Sequence, residues 1–305
     1  MVAAAIAELD MGRQWVAWSR NGLFEFLDEH IKSTMKKLIG LIAGLVLVGI
    51  FSSHAWAQEI IAPRPIGFDK MVGLLGVYVP DYEGSDDYDY LLGPLLLYKF
   101  SETNRYVQLI GNKLYLNILN HSNLEFGPMG IDRFGRGGMD DPVVSRMSTV
   151  DDSLEAGLFV GYSNKFDGNP RHRMNIHLDV TQDVSNNHDG LVASLVGLYW
   201  RPVAKPFDIG FRGSVTYANN NYMSSFFDVS ANDSANSGLP QFDADAGIKD
   251  AAVSLMGLLH LSKSWHIGGG IQYKRLIGDA ADSPIVDQRG NANQILFGLA
   301  LLFSW

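Results

Sequence analysis

The chain of 305 residues is 47% hydrophobic and 19% charged, has a formal net charge of -9 and contains no cysteine. Such apolar content excludes wholesale disorder, and a mean hydropathy of +0.01 excludes a bundle of membrane helices. The missing cysteines exclude disulfide scaffolds, thiolate catalysis and Cys-ligated metals, and the excess of acid disfavours nucleic acid, whose phosphates need a Lys/Arg surplus.

The first readable element is a leader. Lys36 and Lys37 open a run of 14 apolar or glycine residues, 38–51, which is followed by Ala55-Trp56-Ala57. A basic n-region, an apolar h-region and an A-x-A site are the parts of an export signal. A helix that spans a bilayer needs about 20 apolar residues, so an uncleaved anchor is the weaker reading. Cleavage is expected after Ala57. Met35 is then the expected start, residues 1–34 an upstream extension of the reading frame, 35–57 the signal peptide and 58–305 the working domain. The five basic and five acidic residues of 1–57 cancel, so the net charge of -9 belongs to the mature domain. A chain without thiols cannot mispair in an oxidising compartment.

The mature region alternates with period two. Residues 206–218 set Phe207, Ile209, Phe211, Val215 and Tyr217 against Asp208, Arg212, Ser214 and Thr216. Residues 173–180 set Met174, Ile176, Leu178 and Val180 against Arg173, Asn175, His177 and Asp179. This alternation predicts strands, and twelve are expected, at 69–79, 88–100, 105–110, 112–119, 123–131, 151–163, 171–182, 190–201, 206–218, 247–261, 265–275 and 293–305. No helical stripe of comparable strength follows the leader. Odd connections are mostly long and even ones short, the Gly111-Asn112 turn being the exception. Long loops on one side and short turns on the other are the topology of a transmembrane antiparallel β-barrel.

A soluble lipocalin-like barrel or a sandwich has the same period, so periodicity alone leaves both open. Two features favour the membrane. The last strand places Ile295, Phe297, Leu299, Leu301, Phe303 and Trp305 on one face and ends on an aromatic, as an assembly signal does. Tyr78, Tyr98, Tyr162, Tyr199, Tyr217 and Tyr273 stand where aromatic girdles belong. The expected fold is therefore all-β, a barrel of about 12 strands, within a range of about 10 to 14.

Residues able to carry chemistry are few. The acidic loop with Asp81, Glu83, Asp86, Asp87 and Asp89 has oxygen ligands for a divalent cation but lacks EF-hand spacing, so a solvated loop is the better reading. His177 and Asp179 lie on one strand face, roughly 6.6 Å apart along it, and line a polar lumen rather than form a catalytic pair. Ser283 sits between Asp282 and Pro284 with no G-x-S-x-G elbow in the chain, which reads as turn initiation. Gly268-Gly269-Gly270 lets the wall bend or a plug approach. The expected lumen mixes Arg173, Arg212 and Lys274 with Glu155, Asp179, Asp208, His177 and His266. Opposite signs of this kind can pair across a narrow barrel and leave at most a narrow or gated pore. No catalytic residue, metal or cofactor is assigned.

Four stretches resemble the MipA/OmpV family of outer-membrane proteins. They are Pro80-Asp81-Tyr82-Glu83-Gly84-Ser85 with Gly93-Pro94, then Gly127-Pro128 with Arg136 and Asp140-Asp141. The third runs from Tyr222 to Ser230 and on through Ser237-Gly238, and the fourth from Leu276 to Ile285 through Asp282-Ser283-Pro284. Together they span nearly the whole mature chain. Two departures stand out: Asp228 replaces a usual glycine, and Phe303-Ser304-Trp305 replaces a usual aromatic-x-Phe ending. The resemblance implies a barrel in the outer membrane of a Gram-negative bacterium, with lipid and the barrel assembly machinery as partners. It also implies a non-enzymatic scaffold joining a lytic murein transglycosylase to a penicillin-binding murein synthase. Other members of the family are surface antigens or adhesins, and a small-solute channel is the competing reading.

Overall fold

A computed structural model describes residues 67–305. The expected leader, its cleavage site at Ala57 and the segment 1–34 lie outside the described residues. Twelve strands follow one another: β1 Lys70–Pro80, β2 Tyr88–Lys99, β3 Tyr106–Ile110, β4 Lys113–Asn117, β5 Leu124–Arg133 and β6 Ser153–Lys165. They continue as β7 Arg173–Asp183, β8 Leu191–Ala204, β9 Phe207–Ala218, β10 Gly247–His260, β11 Trp265–Leu276 and β12 Asn293–Ser304. Each pairs antiparallel with the next, and β12 returns to β1 from Met71↔Ser304 to Tyr78↔Phe297. Closure leaves no strand edge unpaired, the condition for a sheet surrounded by hydrocarbon.

Period two decides which side each residue faces. Leu74, Leu158, Leu195, Val253 and Leu299 are 53–70% exposed on the outer wall. Tyr78 packs on Tyr88 and Tyr90 at one end of the wall, with ring centres 5.0 and 4.9 Å away. Trp265, Phe303 and Trp305 form a second aromatic group at the other end, with Phe303 5.1 Å from Trp265 and 6.2 Å from Trp305. An apolar band between two aromatic belts is the lipid-facing surface of an outer-membrane barrel.

The inward parity departs from expectation. One sector of the lumen is polar, as anticipated, but the other is apolar. Leu75, Val77, Leu95, Met256, Leu258 and Leu296 face inward and are at most 6% exposed. β1, β2 and β12 are apolar on both parities because their inner faces pack with Leu198 and Trp200 of β8 and Met256 and Leu258 of β10. At Gly127, on the inner face of β5, an added Cβ would overlap the Leu116 carbonyl oxygen, so only glycine lets β4 approach there.

The connections also differ from the expected irregular loops. The segment 219–246 contains helices α1 (Asn220–Phe227) and α2 (Ala231–Ser237), and the segment 277–292 contains the single turns α3 (Asp279–Asp282) and α4 (Pro284–Asp287). Asn219 caps α1 by accepting from the Tyr222 amide, Ser230 caps α2 by accepting from the Asp233 amide, and Gly238 ends α2 at φ +81°. Eight and seven residues are too short for a helical stripe to stand out in the sequence.

Candidate functional site

Four long connections, 81–87, 134–152, 219–246 and 277–292, fold together over one end of the lumen. Tyr82, Tyr222, Phe227, Ile285 and Val286 are each at most 1% exposed there. α1 puts Tyr222, Met223, Phe226 and Phe227 against Leu276, Ala280 and Val286. Tyr82 joins Met139, Val144, Met147, Leu239 and Ile285 in an adjoining cluster. Gly84 lies at φ +101°, and a Cβ there would collide with the Val286 side chain, so a tight turn and a close approach both require glycine.

Hydrogen bonds lock the connections to one another. The Ser283 hydroxyl donates to the Phe227 carbonyl at 2.6 Å, and Arg136 Nη1 donates to the Phe226 carbonyl at 2.8 Å. The Ser148 amide donates to Asp233 at 2.6 Å, and Arg289 donates to Asp141 through Nη2 at 2.5 Å and Nε at 3.0 Å. Burial alone would raise the Asp141 carboxyl, but the Arg289 guanidinium and the amides of Val143 and Val144 hold it below its ordinary value.

Beneath this cap lies a buried network of charges. Glu83 Oε1 accepts from Lys249 Nζ and from Lys274 Nζ, both at 2.5 Å, and Oε2 accepts from the Tyr222 hydroxyl at 3.1 Å. Lys249 also donates to Asp250 at 2.7 Å. A register shift between Ile248 and Asp250 turns both Lys249 and Asp250 into the interior, as an irregularity in a strand can. Arg133 forks onto both carboxylate oxygens of Glu155, which also accepts from Thr181 at 2.6 Å. The Tyr222 ring centre lies 5.1 Å from the Arg133 guanidinium and 5.4 Å from Lys249 Nζ, within cation–π reach of both.

These contacts fix the ionisation states. Burial would raise Glu83, yet the two ammonium groups hold its carboxyl well below the ordinary carboxylate range, so it stays charged. Burial pushes the Tyr222 hydroxyl well above its usual value, which keeps it a neutral donor. The acidic loop is therefore not wholly solvated: Glu83 and Asp81 are 5% and 8% exposed. Among the described residues no group of three His, Asp or Glu side chains is arranged to hold a metal ion.

The expected lumen residues all point inward, but several find partners that the sequence did not suggest. Lys274 pairs with Glu83, Glu155 with Arg133, and Asp208 with Arg171. His177 Nε2 is 3.5 Å from Asp179 Oδ2, closer than the strand rise implies, and the Tyr115 hydroxyl donates to the same oxygen at 2.8 Å. At the short-turn end, Ser304 Oγ is 2.9 Å from His266 Nε2, His266 Nδ1 is 2.8 Å from His260 Nδ1, and His260 Nε2 is 2.8 Å from Asp208 Oδ2. The order hydroxyl, imidazole, imidazole, carboxylate resembles a nucleophile relay. Ser304 is 7% exposed, and the chain of bonds ties β12 to β11, β10 and β9.

The motif residues mostly gather in the cap. Pro80, Tyr82, Gly84 and Ser85 lead from β1 into it, Tyr222 reaches the charge network, and Ser237 with Gly238 closes α2. Asp282 ends α3, Ser283 is fully buried and Pro284 starts α4. Gly127 and Pro128 lie apart, in the wall of β5, and Phe303 and Trp305 close the chain at the short-turn end. Sequence reading missed Arg133, Lys249, Asp250, Arg171 and His260. The charge of each was visible, but the partners lie as far away as 166 residues.

Residues 72–305 match the family model described as MltA-interacting protein MipA. No curated protein matches the chain. Among solved structures the chain is similar to a NanC porin at 12% identity, covering 77% of this chain and 100% of that one, with a TM-score of 0.44. An outer-membrane channel from Pseudomonas putida F1 is similar at 10% identity over 80% of this chain and 100% of that one, TM-score 0.45. The CymD monoaromatic hydrocarbon channel is similar at 12% identity over 78% and 89%, TM-score 0.38. With the family match running from the first strand to the last residue, the chain belongs to the MltA-interacting protein MipA family of outer-membrane barrels.

Proposed function

We propose that this barrel is a non-conducting, non-enzymatic scaffold. Its long connections face the cell exterior, and its short turns face the periplasm, where they hold a lytic murein transglycosylase and a penicillin-binding murein synthase close together. The observation that carries the reading is the sealed mouth. A channel keeps a water path through its loops, whereas here Tyr82, Tyr222, Phe227, Ile285 and Val286 pack above a fully paired charge network. Membership in a family described by its interaction with a murein enzyme supports the choice of partners.

Cross-linking in intact envelopes followed by purification of the barrel tests the scaffold. Recovery of a murein hydrolase or synthase is the expected result, and recovery of neither removes the claim. Planar bilayers test the sealed lumen separately, since currents of porin size would shift the reading to a solute channel.

A further inference from the structure

At the short-turn end the lumen opens into a polar cavity of about 370 Å³. Its wall comes from the ends of β1 to β7 and the turns between them. Three features of this vestibule are left unused by the fold.

The first is Gln108, on the inner face of β3. It is 2% exposed and lines the cavity, yet its amide has no hydrogen-bond partner among the described residues. Its amide is not sealed inside the wall, so two donors and two acceptor lone pairs face the cavity and are open to whatever occupies it. The second is Ser163 on β6, 7% exposed, whose hydroxyl is likewise without a partner among the described residues. The third is the cationic rim. Lys165 lies two residues beyond Ser163 on the same strand face and is exposed, and Lys99 at the end of β2 pairs among the described residues with an exposed Asp69 at 3.4 Å; Arg173 and Glu125 complete the charged lining.

The surroundings share this sign. The four long connections carry fifteen carboxylates against Arg136, Arg146 and Arg289, whereas the short turns carry Glu102 and Asp167 against Arg105, Arg171, Lys205 and Lys263. An anionic molecule is therefore drawn to the short-turn end and repelled from the other.

We propose that the vestibule binds an acidic peptide segment, whose backbone amides meet Gln108 and Ser163 and whose carboxylates meet Lys165 and Lys99. A peptide group has one donor and one acceptor side by side, the complement of the Gln108 amide. An inorganic oxyanion would satisfy the lysines and accept from Gln108 Nε2, but a fully ionised one has no donor for its Oε1. The inference stands whether or not the partner carrying the segment is a murein enzyme.

The test uses the purified mature barrel in detergent micelles. Three fluorescein-labelled probes are titrated by anisotropy: an octapeptide of Asp, Glu and Gly, its counterpart with Lys for each acid, and an oligosaccharide of uronic acid. The acidic peptide is expected to bind most tightly and to weaken as salt rises. Lys165→Glu should weaken it at least about tenfold, the effect of losing one charge-assisted hydrogen bond. Gln108→Leu, which keeps the side-chain size and breaks no hydrogen bond to a described residue, is expected to weaken it about threefold to tenfold. Lys263→Glu, on a short turn outside the vestibule, should change affinity by less than about twofold.

Equal binding of the lysine and acidic peptides overturns the proposal, and so does tighter binding of the uronic acid. An unchanged affinity in Gln108→Leu overturns insertion into the vestibule. Equal losses in Lys263→Glu and Lys165→Glu reduce the effect to general surface charge and overturn the site.

Discussion

The two ends of the barrel hold polar sites of different kinds. At the long-connection end Glu83, Glu155 and Tyr222 are buried and all are partnered, and a packed apolar layer lies above them. At the short-turn end Gln108 and Ser163 line a polar cavity, with side-chain polar groups bonded to none of the described residues. Polar side chains that face a cavity and are not sealed inside the wall are available to a molecule that enters it. One end is built to be closed, the other to be met, and variants at each end should reveal that difference.

The largest effect should come from the cap. Phe227→Ala removes a fully buried ring and should cost about 3–5 kcal/mol, because the connections around it cannot collapse completely into the space. Denaturant titration checks the stability, and planar bilayers check whether the mouth now leaks. A variant as stable and as tight as the parent would show that the cap is not what seals the lumen.

Glu83→Gln comes next. It leaves two buried ammonium groups short of a carboxylate, for a loss of about 3 kcal/mol, softened because Lys249 keeps Asp250 at 2.7 Å. The pH dependence has a definite sign. Because the folded carboxyl titrates below its unfolded value, its contribution is fully present above the ordinary carboxylate value near 4.5. It is lost as the pH falls toward and through the depressed folded value. Parent and variant should therefore differ in unfolding midpoint at neutral pH and converge in strong acid, whereas a constant gap would mean that Glu83 is not held ionised.

Tyr222→Phe probes the same network more gently. The ring stays between the two cations while the hydroxyl's bond to Glu83 at 3.1 Å is lost, so about 1–2 kcal/mol is expected in the same denaturant titration. A loss as large as that of Glu83→Gln would place the weight of the cap on the hydroxyl rather than on the ion pairs.

The unequal legibility of the two ends in the sequence has a physical cause. Strands were readable because the outer wall must be apolar at every second residue, as Phe207, Ile209 and Phe211 show, and the Gly111-Asn112 turn was readable because β3 and β4 are so short. The inner wall was less legible. Where Leu75, Leu95 and Leu296 face inward, both parities are apolar and the period says nothing about which side meets lipid. The network was not legible at all, since Glu83 and Lys274 are 191 residues apart and meet only once the barrel has closed. α1 left a faint trace: Asn219 at a capping position, then Tyr222 and Phe226 four residues apart. The resemblance to a family gathered the cap residues into one set without saying what they do there.

The smallest effect should separate the two kinds of polar group at the short-turn end itself. Ser304→Ala breaks the chain from Ser304 through His266 and His260 to Asp208, and should cost about 1 kcal/mol in denaturant titration. The bonds also fix the protons. Asp208 accepts from Nε2 of His260, so the Nδ1 of a neutral His260 must accept from His266, whose Nε2 is left to accept from Ser304. Every group in that chain is satisfied within the barrel, in contrast to Gln108 and Ser163 nearby. Ser304→Ala should therefore lower stability and leave acidic-peptide binding unchanged, while Gln108→Leu should do the reverse. If Ser304→Ala instead abolished labelling by a serine-directed fluorophosphonate seen in the parent, the relay would be reactive rather than structural, and the short-turn end would hold a second site.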